Sequence, residues 1–275
     1  MMKTKMVGGY MLTKNQLVGD FKRIGVKEGM VLVVHTSLRN IGYIEGGPDA
    51  VIESLLDILG DEGTLVMPSM TSGDEVFDPK TTPTDDMGIV AETFWRMPGV
   101  LRSVHPNSAF AAYGKHAPEI VAEQLIDQPE GIKSPIGKAY QLDGRILLFG
   151  VSHDSNTTIH LAESLNDVPY RTYSTMLMSR DGKVEKIEIP IINHCCQNFN
   201  KMESLLKEKG CLTIQKIGNG TCQFMKAKDV VEVASVELKK NPFYFLCGDN
   251  CEECVEAREY VVSPSIKKSN VQHNY

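Results

Sequence analysis

Three short apolar runs constrain this chain more than any other feature. They are Met30-Val31-Leu32-Val33-Val34, Thr64-Leu65-Val66-Met67 and Ile146-Leu147-Leu148-Phe149-Gly150-Val151. None shows the polar alternation of a strand with one wet face. Each must therefore be covered on both sides, as in the parallel sheets of α/β proteins. A helical stretch at 49–59 lies between the first two, and strand, helix and strand in that order form a βαβ unit. An opening helix is expected over 12–25, because Thr13 can cap it and Leu17, Phe21 and Ile24 recur at helical spacing.

The pattern changes along the chain. Residues 71–87 are rich in Asp, Pro, Thr and Gly and are expected as a long surface loop. Helices are expected over 88–97 and 117–124, a strand at 109–113, and a helix over 159–165. Beyond Tyr170, segments 173–179 and 183–189 flank Arg180-Asp181-Gly182, a hairpin turn signal. A helix over 199–209 follows, then a second hairpin around Gly218-Asn219-Gly220 and a last helix over 229–238. The expected class is α/β, with an α/β/α sandwich-like core of mostly parallel strands and a β-rich, partly antiparallel C-terminal half. Residues 1–10 read as an extension and 263–275 as a tail. Residues 11–262 read as a single domain, with a core over 11–170 and the β-rich half over 171–262.

Composition narrows the function. A chain of 275 residues can bury a sizeable core. Lys and Arg number 29 against 35 Asp and Glu, a formal net charge of −6. That balance argues against nucleic acid, whose binding rests on clustered basic residues, and favours cationic ligands. No apolar run approaches the ~18–20 residues that span a bilayer, and the first ten residues lack the apolar core of a signal peptide. A cytoplasmic protein with no membrane partner is expected. Seven cysteines, an odd number, read as reduced thiols. Cys247, Cys251 and Cys254 are spaced C-x3-C-x2-C, and thiolates so spaced can share an ion. A structural zinc site usually draws on two close pairs, and the second would have to be His194-Cys195-Cys196 far upstream. Free, partly buried thiols with no metal are the expectation.

Three segments could carry chemistry. Val34-His35-Thr36-Ser37-Leu38 ends a buried strand, where open α/β sheets bind ligands. Its N–H and hydroxyl groups suit phosphate or carbonyl oxygens, although a capped helix start explains the same residues. The nucleotide fingerprints G-x-G-x-x-G and G-x-x-x-x-G-K-[ST] are both missing. In Arg102-Ser103-Val104-His105-Pro106-Asn107, the guanidinium can meet a phosphate bidentately or sit solvated on a loop. In 150–163, His160 and Glu163 lie three apart on one helix face. A carboxylate beside an imidazole fixes its tautomer and stabilises the cation formed on proton uptake. Such pairs are common on surfaces, but this one follows a strongly apolar strand.

Two competing signals are weaker. Cys195 or Cys196 beside His194 suggests a nucleophile, but nucleophile and base normally meet through the fold, not through sequence adjacency. Gln215-Lys216-Ile217-Gly218-Asn219-Gly220 matches the Q-x-x-G-x-G pyrophosphate loop of GNAT-type acetyltransferases. That loop must lead into a helix, whereas β-like Thr221-Cys222-Gln223-Phe224-Met225 follows here, so a hairpin turn is expected. An α/β-hydrolase is disfavoured because no G-x-S-x-G elbow is present.

In order, these segments resemble the aminoglycoside 3-N-acetyltransferase family, which is distinct from the GNAT fold. The matching pieces are Leu32 through Leu38 with Ile41-Gly42 and Gly46-Gly47, then Gly63-Thr64-Leu65-Val66-Met67-Pro68-Ser69, Arg102-Ser103-Val104-His105-Pro106, Ser134-Pro135-Ile136-Gly137-Lys138, and Gly150 through Thr157 with His160 and Glu163. The resemblance runs from about residue 12 to 169, and loosely to about 240. It implies acetyl-CoA-dependent transfer to the 3-amino group of an aminoglycoside, with no metal required and no covalent acyl-enzyme. It implies His160 as general base, with Glu163 and Asp154 orienting or neutralising its imidazole. His35, Thr36, Ser37 and Leu38, with Arg102 and Ser103, would hold the pantetheine and phosphates of CoA. Asp74, Glu75, Glu185 and Glu188 are the candidate contacts to the polycationic substrate, although Glu185 and Glu188 would face opposite sides of a strand. Ser108 stands one position away from the family's hydroxyl. Residues 189–196 also lack the acidic residues usual there, which leaves a non-antibiotic amine open as the acceptor; a catalytically weak CoA-binding homologue is the other alternative.

Overall fold

The computed structural model describes residues 11–71, 73 and 75–262; the N-terminal extension, the tail and Asp74 lie outside the described residues. Helix α1 (Lys14–Ile24) begins with a complete capping box, in which Thr13 and Gln16 satisfy each other's backbone N–H. Strand β1 (Val31–Thr36) follows, then the single turn α2 (Leu38–Ile41), α3 (Gly47–Leu59) and β2 (Thr64–Pro68). The chain continues through α4 (Gly88–Trp95), the edge strand β3 (Leu101–Arg102), β4 (Phe110–Gly114), α5 (Ala117–Val121), α6 (Pro135–Gln141) and β5 (Arg145–Phe149). Helix α7 (Thr158–Leu165) precedes a long hairpin, β6 (Arg171–Arg180) and β7 (Lys183–Ile192). Last come α8 (Lys201–Glu208), β8 (Thr213–Ile217), β9 (Gly220–Lys226), α9 (Ala227–Lys240) and α10 (Glu252–Val262).

Seven strands form one sheet in the order β3-β4-β2-β1-β5-β9-β8. The three apolar runs are its centre: β1 pairs in parallel with β2 and with β5, and the remaining pairings are antiparallel. Alternate residues of these strands feed two cores. Leu32, Val34, Leu65, Met67, Leu147 and Phe149 pack with α1, α3 and α4, whereas Val31, Val33, Val66, Ile146 and Leu148 pack with α6, α7 and α9. That two-faced burial explains why these strands carry no polar alternation. It gives the α/β/α core expected from sequence, and β8 and β9 from the C-terminal half complete the same sheet.

The hairpin β6–β7 is a separate two-stranded sheet, in register from Arg171↔Ile192 to Arg180↔Lys183. Segment 71–87 is a loop as expected, but it is pinned. Phe77 donates its N–H to Leu177 O (2.8 Å) and accepts from Ser179 N (2.8 Å), with its ring fully buried against Ala109 and Met178. The Q-x-x-G-x-G segment is the β8–β9 turn, with Gly218 at φ +57°. Two expectations need correction. Residues 229–238 are not the last helix, because α10 follows and is anchored through Cys254 and Ala257 rather than through a long apolar face. Leu101 and Arg102 are not loop but an edge strand on β4. Among the described residues, no helix is long and apolar enough to cross a membrane.

Candidate active site

The carboxyl ends of β1, β2 and β5 open into a cleft of about 560 Å³. His35, Thr36, Ser37 and Leu38 line one side of it, and Asp154, Ser155 and Thr157 another. Two hydrogen bonds, one backbone–backbone and one from a side chain, stitch the rims together: Ser37 N–H donates to Phe149 O (2.9 Å), and Asn40 Nδ2 donates to Gly150 O (2.8 Å). The approach is so close that a Cβ on Gly150, at φ +77°, would lie 2.7 Å from Ser37 O. Glycine is required there for both reasons. Burial pushes the His35 imidazole down to about 4, so it stays neutral, and its Nε2 has no protein partner.

The loop after β5 leads into α7, which carries His160 and Glu163 on one face. His160 Nδ1 lies 2.7 Å from one oxygen of Glu163. The other oxygen accepts from Tyr170 OH at 2.7 Å and from His194 Nε2 at 3.0 Å. Glu163 is thus a buried carboxylate with three donors. Burial alone would raise its pKa, but the hydrogen bonds from His160 and His194 outweigh that and hold it at about 2. Being ionised, it holds a proton of His160 on Nδ1 and leaves Nε2 as the nitrogen turned away from the carboxylate.

Nε2 faces Cys196, whose Sγ is 3.5 Å away. The ring of Phe199 packs against His160 edge to face at 4.9 Å. Burial opposes charge on His160, yet Cys196 and Glu163 together raise its pKa well above the ordinary value. The Cys196 thiol is raised by burial and lowered more by His160 and His194, ending at about 7. Burial opposes charge on His194, whereas Cys196 and Glu163 favour it. An imidazolium there would need two donors, however, and its Nδ1 accepts from Cys196 N–H at 3.1 Å. The neutral Nε2–H tautomer is the one that fits this geometry. A second carboxyl, Glu130, accepts from Ser108 Oγ; burial raises its pKa, partly offset by nearby His160.

The residues singled out in the sequence divide. His160 and Glu163 are joined as expected, and residues 35–38 line the cleft. Asp154 makes no hydrogen bond to His160; its carboxylate accepts from Ser152 Oγ at 2.9 Å and faces the cleft. The carboxylate that contacts the His160 ring is that of Glu163. Arg102 is not brought to the cleft. Its guanidinium donates to Ser69 and to Thr82 O, and it lies 4.5 Å from the Trp95 ring centroid and 5.3 Å from that of Phe77. Ser103 is fully buried, donating to Gln124 Oε1 (2.8 Å) and accepting from Phe110 N–H (3.0 Å). Glu75, Glu185 and Glu188 are exposed, the last two on β7, and Glu185 lies 3.6 Å from Arg180. Sequence reasoning did not reach Tyr170, His194 or Glu130. His194-Cys195-Cys196 was visible as a competing nucleophile signal and as the second half of a conceivable metal site, and nothing marked Tyr170 or Glu130.

Fold and site together define an α/β protein with a cleft at the sheet's carboxyl edge and, on the helix that follows the cleft-lining loop, an imidazole held by a buried carboxylate. The family model described as aminoglycoside 3-N-acetyltransferase matches residues 33–239. Aminoglycoside N(3)-acetyltransferase IV of Salmonella sp is 41% identical over 239 residues, covering 86% of this chain and 91% of that one. The prophage-derived aminoglycoside N(3')-acetyltransferase-like protein YokD of Bacillus subtilis (strain 168) is 31% identical, covering 81% and 90%. The crystal structure of the aminoglycoside acetyltransferase AAC(3)-IVa apoenzyme superposes with a TM-score of 0.88 at 40% identity, covering 92% of this chain and 99% of that one. A histidine-to-alanine variant of that enzyme, in complex with a gentamicin, gives the same values. The chain belongs to the aminoglycoside 3-N-acetyltransferase family and is an acyltransferase.

Proposed function

We propose that this enzyme transfers acetyl from acetyl-CoA directly to the 3-amino group of an aminoglycoside, with His160 Nε2 as general base. The observation that carries the reading is the 2.7 Å contact from His160 Nδ1 to a carboxylate that is itself held by Tyr170 and His194. An ammonium has no lone pair, so the acceptor must lose a proton before it can attack. Neutral Nε2 takes that proton, and Glu163 stabilises the resulting imidazolium. The amine nitrogen then bonds to the acetyl carbon, and the C–S bond breaks with its electron pair leaving on the CoA sulfur. That thiolate takes the proton held by His160, and the second amine proton passes from the acylated nitrogen to the freed Nε2 and on to solvent. The cleft beside residues 35–38 suits pantetheine and phosphate, through backbone N–H groups and the Thr36 and Ser37 hydroxyls. Acetyl-CoA as donor makes the cytoplasm the place of reaction.

Glu130, whose carboxyl accepts from Ser108 Oγ and is influenced by the charge of His160, is a candidate contact for the cationic acceptor. Glu75, Glu185 and Glu188 would add longer-range attraction. Thiol release from acetyl-CoA, measured with a panel of aminoglycosides and simple amines, tests the reading. Turnover with aminoglycosides supports it; turnover with simple amines alone transfers the same chemistry to another acceptor class.

The position of Cys196 favours one other route. Its Sγ, 3.5 Å from Nε2, could take the acetyl group first and pass it to the amine. Cys196→Ala discriminates between the two. Direct transfer predicts retained turnover within about tenfold, whereas a covalent route predicts loss of the order of 10³-fold or more.

A further inference from the structure

Four of the seven cysteines meet at one point on the C-terminal side of the molecule. Cys195 comes from the loop after β7, Cys247 from the segment after α9, and Cys251 and Cys254 from the start of α10. Their sulfurs all lie within 4.8 Å of one another, with Cys195 Sγ 3.3 Å from Cys247 Sγ and 3.6 Å from Cys254 Sγ. None is in a disulfide. Cys254 is buried and the other three are half-buried. Four zinc–sulfur bonds of about 2.3 Å in a tetrahedron place the sulfurs ~3.8 Å apart, close to what is found here. A disulfide would instead draw one pair to about 2 Å and leave the others unmatched.

We propose that Cys195, Cys247, Cys251 and Cys254 bind a single Zn²⁺ ion as a structural tetrathiolate site. Tetrahedral all-sulfur coordination selects zinc or iron. A multi-iron cluster needs its ligands spread around several metal atoms, and these sulfurs enclose room for one. The surroundings have the character of an outer shell. Arg258 donates to Cys254 O at 3.1 Å and to Cys247 O, which fixes the ligand-bearing backbone and places a cation beside a site of net negative charge. Residues 241–251 contain no regular helix or strand, and α10 has only a weak apolar face, so an ion tying them to Cys195 would supply stability that packing does not.

The site also has a consequence for the active centre. Cys195 sits between His194, which is bonded to Glu163, and Cys196, which faces His160. Fixing Cys195 to the C-terminal segment fixes the backbone that positions both neighbours. The ion is a positioning element, with no contact to the reacting groups.

Metal analysis of the full chain, purified under reducing conditions without chelator, should give about one zinc per chain. Cys251→Ser should lower that at least tenfold, while Cys211→Ser, outside the cluster, should leave it unchanged. Cobalt(II) added to the chelator-stripped wild-type chain should give intense thiolate-to-cobalt absorption and tetrahedral d–d bands, and zinc should displace them. The cobalt titration decides even if Cys251→Ser fails to fold. The proposal is overturned if the stripped wild-type chain gives no tetrahedral cobalt spectrum, if bound zinc is the same in Cys251→Ser as in wild type, or if iron is the stoichiometric metal.

Discussion

Two polar clusters share one tripeptide. His194 and Cys196 turn towards Glu163 and His160, while Cys195, between them, turns towards Cys247 and Cys254. The first cluster is closed by its own donors and acceptors: every Glu163 oxygen is taken, and both ring nitrogens of His160 have a partner. The second gathers four sulfurs, which are weak donors and weak acceptors and gain little from one another. The difference teaches what each is for. A hydrogen-bonded carboxylate can set the tautomer and basicity of a neighbour, whereas converging thiols make a strong interaction only through a cation.

The comparison can be broken most severely at His160. His160→Ala should reduce kcat/KM for the amine by on the order of 10²–10⁴-fold, measured by thiol release, with zinc content unaltered. A variant that binds acetyl-CoA and keeps full turnover would remove the base from the mechanism. Glu163→Gln should cost about 10²-fold and also move the pH profile. A general base acts when unprotonated, and in the wild type, against the effect of burial, the Cys196 thiolate and the Glu163 carboxylate raise the His160 pKa well above the ordinary imidazole value. The wild-type kcat/KM should therefore climb with pH above the usual histidine range. Removing the carboxylate lowers that pKa, so the climb should begin at lower pH; an unmoved profile would show that Glu163 does not set the basicity.

The smallest effect on turnover is expected at Arg102, which belongs to neither cluster. Its contacts with Ser69, Thr82, Trp95 and Phe77 make it a brace between loop, strand and α4. Arg102→Ala should destabilise the fold by roughly 1–3 kcal/mol, seen as a lower Tm, and change the KM for acetyl-CoA by less than about twofold. A large rise in that KM at unchanged stability would return Arg102 to the cofactor site.

What could be read from the sequence follows from the range of the interactions. The central strands were legible because burial on both faces writes a continuous apolar run into a few adjacent residues. His160 and Glu163 were legible because three residues along a helix is one face. Tyr170 and His194 reach Glu163 from either end of a hairpin excursion, and their separation of up to 31 residues leaves no local pattern. Helix α10 escaped notice for a related reason: what anchors it is a set of thiols, and Cys195 lies 52 residues before Cys247 and 59 before Cys254. Arg102 was misleading because a phosphate and an aromatic platform ask for the same guanidinium, and the sequence around it does not show Trp95 and Phe77 beneath it.

The pinning of Phe77 bears on how such enzymes can be recombined. Its ring fills a niche built by Ala109 and Met178, and its backbone is paired to Leu177 and Ser179. Segment 71–87 and the β6–β7 hairpin are therefore one exchangeable module, although they lie far apart along the chain. A chimera that imports one without the other leaves either an aromatic ring with no niche or a niche with no ring, and two strand hydrogen bonds unmade. Chimeras between homologues should keep their stability when both pieces travel together.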